Sequence, residues 1–193
     1  MPLCEALGVT KRFGGVTALE EVTLSLEPAT IVALIGPNGS GKTTLFHLLG
    51  GQLRPTVGVI RWRGQEITRW PSHRRCRAGI NRTFQLAQPF PEFSPVENVD
   101  LGLLHGAPGG SWRNRHEARA AAREILTEVG LVEQASQPAR SLSLGELKRL
   151  ELAMALATQP ALILLDELLA GQSPLAVHDL LGVLTRRRAT GLC

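Results

Sequence analysis

The chain has 193 residues, 44% of them hydrophobic and 20% charged, with a formal net charge of +4. That is enough for one full core, too little for two generous domains, and ordinary for a soluble globular protein. No apolar run approaches the ~18 residues that a membrane-spanning helix needs. The opening "MPLCEALGVT" has no basic flank and no long apolar stretch, so no signal peptide is expected. Cys4, Cys76 and Cys193 lack CxxC spacing and read as reduced thiols. The histidines show no metal spacing, and "RHEAR" at 115–119 is not HExxH.

In chain order, the first element that carries chemistry is "IVALIGPNGSGKTTLFHLLGG", residues 31–51. "TIVALI" is β-branched and aliphatic, which predicts a strand, and "KTTLFHLLG" predicts a helix. Leu45, Leu48 and Leu49 share one helical face, with Gly50 as the C-terminal stop. Between them Gly36-Pro37-Asn38-Gly39-Ser40-Gly41-Lys42-Thr43 fits GxxxxGK[ST] in full. Glycines let backbone N–H groups curl around phosphate oxygens, and the helix N-terminus adds positive potential. Lys42 is expected to reach the β- and γ-phosphates, and the Thr43 hydroxyl to sit on Mg²⁺. Thr44 is counted with the same nucleotide-binding loop.

Three arginine clusters supply much of the positive charge: "RRCR" at 74–77, "RNR" at 113–115 and "RRR" at 186–188. No aromatics interleave them as base stacking would require, so they read as solvated or partner-facing surfaces and no nucleic acid is expected. From about Ser94 to Gln137 the pattern is helical, with Ala118, Ala121, Ala122, Ile125 and Val129 on one face and Gly130 as a stop. "HGAPGGSWRN" within it reads as a mobile loop. "SLSLGELKRLELAMALATQP" opens on a capping box, Ser143 at N-cap and Glu146 at N3. Leu147, Leu150, Met154 and Ala157 then line one helical face. "ALILLDE" reads as a buried parallel strand ending in Asp166-Glu167. Paired with the phosphate loop, Asp166 is expected to hold Mg²⁺ and Glu167 to polarise the attacking water.

These motifs together resemble the ATP-binding cassette (ABC) ATPases. "LSLGE" is similar to their LSGGQ signature, "RTFQ" at 82–85 to their Q-loop and "AGQSP" at 170–174 to their D-loop. "KRFGG", "GINRTFQ" and "PFPEFSPVENV" resemble the ATP-binding subunits of bacterial branched-chain amino acid importers. The resemblance implies an α/β P-loop NTPase, one domain over 1–193, with a RecA-like core. Residues 1–70 would supply an antiparallel β subdomain and the P-loop, and residues about 94–137 a helical subdomain. It further implies that Phe13 stacks on adenine, although a buried strand-end aromatic is the other reading. Gln85 would touch Mg²⁺ or the lytic water, and Ser143 and Gly145 the γ-phosphate of ATP held by a second ABC ATPase subunit. The implied partners are transmembrane permeases and, indirectly, a periplasmic solute-binding protein. The implied location is peripheral, on the cytoplasmic face of the inner membrane.

Several positions depart from that pattern. Leu144 stands where glycine or tyrosine is common, Leu147 where a polar residue usually follows, Leu168 where proline follows the acidic pair, and Ser173 where an acid or amide is usual. Ser173-Pro174 still makes a sound helix start. The family's switch histidine, at the end of a further strand, has no counterpart among His47, His73, His105, His116 and His178. A C-terminal strand of the core, placed by the resemblance between the P-loop strand and the Asp166 strand, is therefore expected to be missing. A non-hydrolysing remnant, or a soluble ABC ATPase acting on nucleic acid, are the alternative readings.

Overall fold

The structure, a computed structural model, describes residues 1–82, 89–106, 115–166, 173–189 and 191–193. Strands β1 (Cys4–Phe13) and β2 (Val16–Leu26) form an antiparallel hairpin that closes at Phe13 and Val16 around Gly14. Helix α1 (Lys42–Gly50) follows the phosphate loop. Strands β3 (Val57–Trp62) and β4 (Gln65–Glu66) complete a sheet of order β2-β1-β3-β4, antiparallel throughout. The short helix α2 (Ser72–Arg77) leads into β5 (Ile80–Arg82).

The helical part holds α3 (Pro95–His105), α4 (Arg115–Glu128) and α5 (Leu144–Ala157). Strand β6 (Leu162–Leu164) then pairs parallel with β5, and α6 (Pro174–Ala189) is the last helix among the described residues. Helix α6 begins where Ser173-Pro174 predicts, with the Ala176 N–H donating to Ser173 Oγ at 3.3 Å.

Two apolar cores result. One packs α3, α4 and α5 through Val99, Leu103, Ala118, Ala122, Leu126 and Leu150. The other gathers the sheet and α1 through Val9, Leu45, Leu48, Leu49, Ile60 and Ile67. Strand β6 joins them, because alternate residues point to opposite faces. Leu162 and Leu164 belong to the sheet core, while Ile163 and Leu165 lean on the helical one.

Three local expectations are corrected. "TIVALI" forms no strand: residues 30–37 carry no regular structure, and Ile31, Val32 and Ile35 are half or more exposed. A strand exists only with a partner to pair with. Here an apolar groove separates this segment from β6, lined by Ile31, Val32 and Leu34 on one side and Ile163 and Leu165 on the other. Cys193 reaches the β6 side of that groove, donating its N–H to Ala161 O at 2.9 Å and accepting from the Ile163 N–H at 2.8 Å. The helix stop expected at Gly130 is present, with α4 ending at Glu128 and Gly130 at φ 72°, but the helical reading of 94–137 overshoots beyond it, where residues 131–137 form turns closed by bonds such as Ala135 N–H to Val132 O. Finally, Gly50 stays inside α1, and Gly51 is the residue that takes the left-handed C-terminal turn, φ 80°.

Candidate functional site

The phosphate loop is built from backbone conformations that only glycine adopts cheaply. Gly39 and Gly41 sit at φ 81° and 89°. A Cβ on Gly41 would come within 2.6 Å of both Ala18 O and Leu19 Cδ2 on β2, so the loop lies directly on that strand. The Ser40 N–H donates back to Pro37 O at 3.2 Å, curling the loop, and Gly41 becomes the N-cap of α1. That cap has no side chain to offer and the first turn of α1 carries no acid. Its first N–H groups therefore keep their donor capacity and positive potential for an outside anion.

Lys42 turns onto its own loop. Its Nζ donates to Gly36 O at 2.7 Å and Pro37 O at 2.8 Å, and lies 3.5 Å from Ser40 Oγ. A cleft of about 580 Å³ opens above, lined by Asn38, Gly39, Lys42, Thr43, Thr44 and Asp166 among others. The loop and the end of the Asp166 segment thus face one space.

Asp166, on the lining of that cleft, is held in an ion pair the sequence reading did not anticipate. Arg82, the last residue of β5, donates from Nη2 to Asp166 Oδ2 at 2.9 Å, with the two side chains only 5% and 8% exposed. The parallel pairing of β5 with β6 brings them together, since Arg82 lies opposite Leu164. His47, one turn along α1 from Thr43, feels both charges. Its pKa is lowered, first by burial and then by the Arg82 guanidinium, with Asp166 acting the other way. A signal for Arg82 existed in "GINRTF": Ile80 and Arg82 share the inward face of a short strand, and an inward charge needs a partner.

Beneath the loop, Arg75 anchors α1 from its far end. It is completely buried. Its Nη1 donates to Leu48 O (2.7 Å) and Leu49 O (2.9 Å), its Nη2 to Ile67 O (2.8 Å) and Thr68 O (3.2 Å), and its Nε to Trp70 O (3.1 Å). Burial lowers its pKa to about 10, still cationic at neutral pH. The reading of "RRCR" as a solvated cluster fails at this residue. The C-terminal carbonyls of α1 and its negative dipole end explain why a guanidinium belongs there.

The other expected residues lie apart. Phe13 stands at the hairpin tip, 46% exposed, with Lys11 Nζ 4.9 Å from its ring centre. The buried-aromatic reading is therefore set aside, and Phe13 does not line the cleft. Ser143 begins α5 with both halves of its capping box made. Ser143 and Leu144 are exposed and neither lines the cleft, and nor does Gly145. Gln85 and Glu167 fall outside the described residues. Among the described residues no cluster of His, Cys, Asp and Glu makes a ready metal cage, and no helix is long and apolar enough to cross a membrane.

A phosphate loop opposite a strand-end aspartate is common to many nucleotide-binding proteins, and similarity to known proteins narrows the choice. The ABC transporter family matches residues 19–170. The chain belongs to that family. It is 39% identical to the high-affinity branched-chain amino acid transport ATP-binding protein BraF of Pseudomonas aeruginosa, over 97% of this chain and 78% of that protein. The corresponding LivG protein of Escherichia coli is also 39% identical, over 93% of this chain and 74% of LivG. Among solved structures, the ADP conformation of MJ1267, an ATP-binding cassette of an ABC transporter, superposes with a TM-score of 0.87 at 30% identity, over 100% of this chain and 79% of that one. A dimeric post-hydrolysis state of the cassette MJ0796, bound to ADP and Pi, gives 0.83 at 27% identity. The fold is thus that of an ABC ATPase cassette, a P-loop NTPase with an antiparallel sheet and packed helices.

Proposed function

We propose that this ABC cassette is the ATP-binding and ATP-hydrolysing motor subunit of an importer for branched-chain or related amino acids. Two cassettes, identical or different, would sandwich ATP between them at the cytoplasmic face of the membrane. Their closure would drive a pair of transmembrane permeases fed by a solute-binding protein. The observation that carries this reading is the uncapped, acid-free N-terminus of α1, with Lys42 beside it, facing Asp166 across one cleft. The similarity to BraF and LivG supplies the substrate class.

Residues 36–44 would cradle the phosphates, with Lys42 leaving the Gly36 and Pro37 carbonyls for the β- and γ-phosphate oxygens. Phe13, exposed at the hairpin tip, would offer its ring to adenine. Ser143 and Gly145, exposed or half-exposed and away from the cleft, would meet the γ-phosphate held by the opposing cassette. The residues present fit a Mg²⁺ ion, because the Thr43 hydroxyl and Asp166 carboxylate are hard oxygen donors lining the same cleft. Held by Thr43 and Asp166, such an ion would supply neutralisation of the charge that develops on the phosphates. Gln85 and Glu167 would orient the lytic water, Glu167 as the base.

The test is Glu167→Gln, studied with the permease partners present. The variant should retain ATP affinity, lose turnover and accumulate an ATP-dependent dimer in size-exclusion chromatography. Hydrolysis at the parental rate would remove Glu167 from the role of base, and a chain that never binds ATP would remove the motor reading altogether.

A further inference from the structure

The mechanism above leaves Arg82 without a task, yet Arg82 holds the carboxylate on which the metal assignment rests. We propose that Arg82 is a positioning residue that competes with the divalent cation for Asp166, so that metal arrival at the cleft is coupled to release of this ion pair. The inference rests on Asp166 being a metal-binding carboxylate.

Burial sets the stakes. Both side chains are more than nine-tenths buried, and an ionised carboxylate in such a place requires a positive partner. A guanidinium and a divalent cation both meet that need. Sharing the one carboxylate, they repel each other across a poorly solvated gap.

The way Arg82 is held also separates it from arginines that serve the fold. Arg75 places donors on five carbonyl oxygens. Arg187 grips Glu128 with two parallel bonds, Nε at 2.9 Å and Nη2 at 2.8 Å. Arg82 instead makes one bond to Asp166, and its Nε is buried with no partner. An orphaned buried donor is a net cost to the folded arrangement, so this pair is held less firmly than either structural arginine. A clamp that must let go is better built that way.

The experiment compares the parent 193-residue chain with Arg82→Met, Arg82→Lys and Asp166→Asn. Two quantities are measured: the Mg²⁺ concentration that half-saturates the metal-dependent gain in ADP affinity, and the melting temperature with and without Mg-ADP. Competition predicts that Arg82→Met melts lower without Mg-ADP, because Asp166 is left unpaired. It also predicts a larger rise on adding Mg-ADP and half-saturation at a Mg²⁺ concentration at least about fivefold lower, the lower end of ordinary coupling between sites. Arg82→Lys should move the same way by less, and it carries the test should the methionine variant fail to fold. A purely structural Arg82 would lower both melting temperatures equally and leave Mg²⁺ affinity unchanged, which overturns the proposal, as does weaker Mg²⁺ binding. Asp166→Asn keeps the two readings distinguishable: if it leaves the parent's Mg²⁺ dependence intact, the metal assignment itself is wrong.

Discussion

Two helices of this protein start at loops rich in glycine and serine, and their N-termini are finished in opposite ways. At α1 the cap is Gly41, with no side-chain bond and no acid in the first turn. At α5 the cap is Ser143, whose Oγ accepts from the Glu146 N–H at 3.4 Å. The Glu146 carboxylate in turn accepts from the Ser143 N–H at 2.8 Å and its hydroxyl at 2.7 Å. The second helix thus carries its own anion, and the first is left open to one. A glycine cap in place of a side-chain cap costs a helix only about a few tenths of a kcal/mol, and α1 is anchored at its other end, where Arg75 and Gly51 satisfy the last carbonyls. Binding capacity and anchoring are thereby placed at opposite ends of one nine-residue helix.

The contrast is broken most severely at Lys42. Lys42→Ala removes the lysine cation at the open terminus and should weaken ATP binding roughly 100-fold or more, the loss of two charge-assisted bonds. Ser143→Ala, at the closed terminus, should leave the affinity of a single chain for ATP unchanged. Equal losses from the two substitutions in a binding titration would show that the open and closed ends do not differ in this respect.

Next in size is Arg75, which holds α1 from behind. Arg75→Met strands carbonyls of Leu48, Leu49, Ile67, Thr68 and Trp70 and should cost about 3–5 kcal/mol of stability in denaturant melts. ATP affinity should fall with it, since the loop rides on α1. Arg75→Lys should restore only part, because an ammonium has three donors and no fork. Full rescue by lysine would mean that charge at the helix terminus matters and the geometry of the fork does not.

What the sequence disclosed follows a physical line. GxxxxGKT and the Ser143 capping box were legible because each is closed by residues within a few positions of one another. The capping box at Ser94 and Glu97 is of the same kind and was open to the same reading. Helical spacing likewise placed the buried faces of α4 and α5, and a run of aliphatic residues placed the short parallel strand before Asp166, whereas the antiparallel sheet was expected only from the family resemblance. "TIVALI" was misread because its composition states a preference for a strand but not whether a neighbour stands beside it. Arg75 and Arg82 were hidden for a related reason. An arginine's composition value is that of a surface residue, and only the tertiary arrangement of Leu48, Ile67 and Asp166 around them makes burial favourable. The site's cradle is local and was read; the part assembled from β5 and β6, which are distant in the chain, was read only at Asp166, and Arg82 was missed.

The smallest expected effect lies at the closed terminus and concerns proton binding. Hydrogen bonds from the Ser143 N–H, and then from its hydroxyl, lower the Glu146 pKa below the ordinary carboxylate value. A carboxyl whose folded pKa is depressed stabilises the fold fully above its unfolded pKa, near 4.3. That contribution disappears as pH falls through the folded value. Glu146→Gln keeps the shape of the capping box without the titration, so its melting temperature should fall less steeply than the parent's on acidification below about pH 5. The difference should stay under about 1 kcal/mol, because the group is solvent-screened. Glu97, lowered by Ser94 in the same manner, titrates in both proteins and cancels. Helix α1, with no acid in its first turn, adds nothing to this slope. Parallel acid profiles for the parent and Glu146→Gln would mean that the carboxylate contributes no more than the amide does, and that α5 is not closed by its own charge.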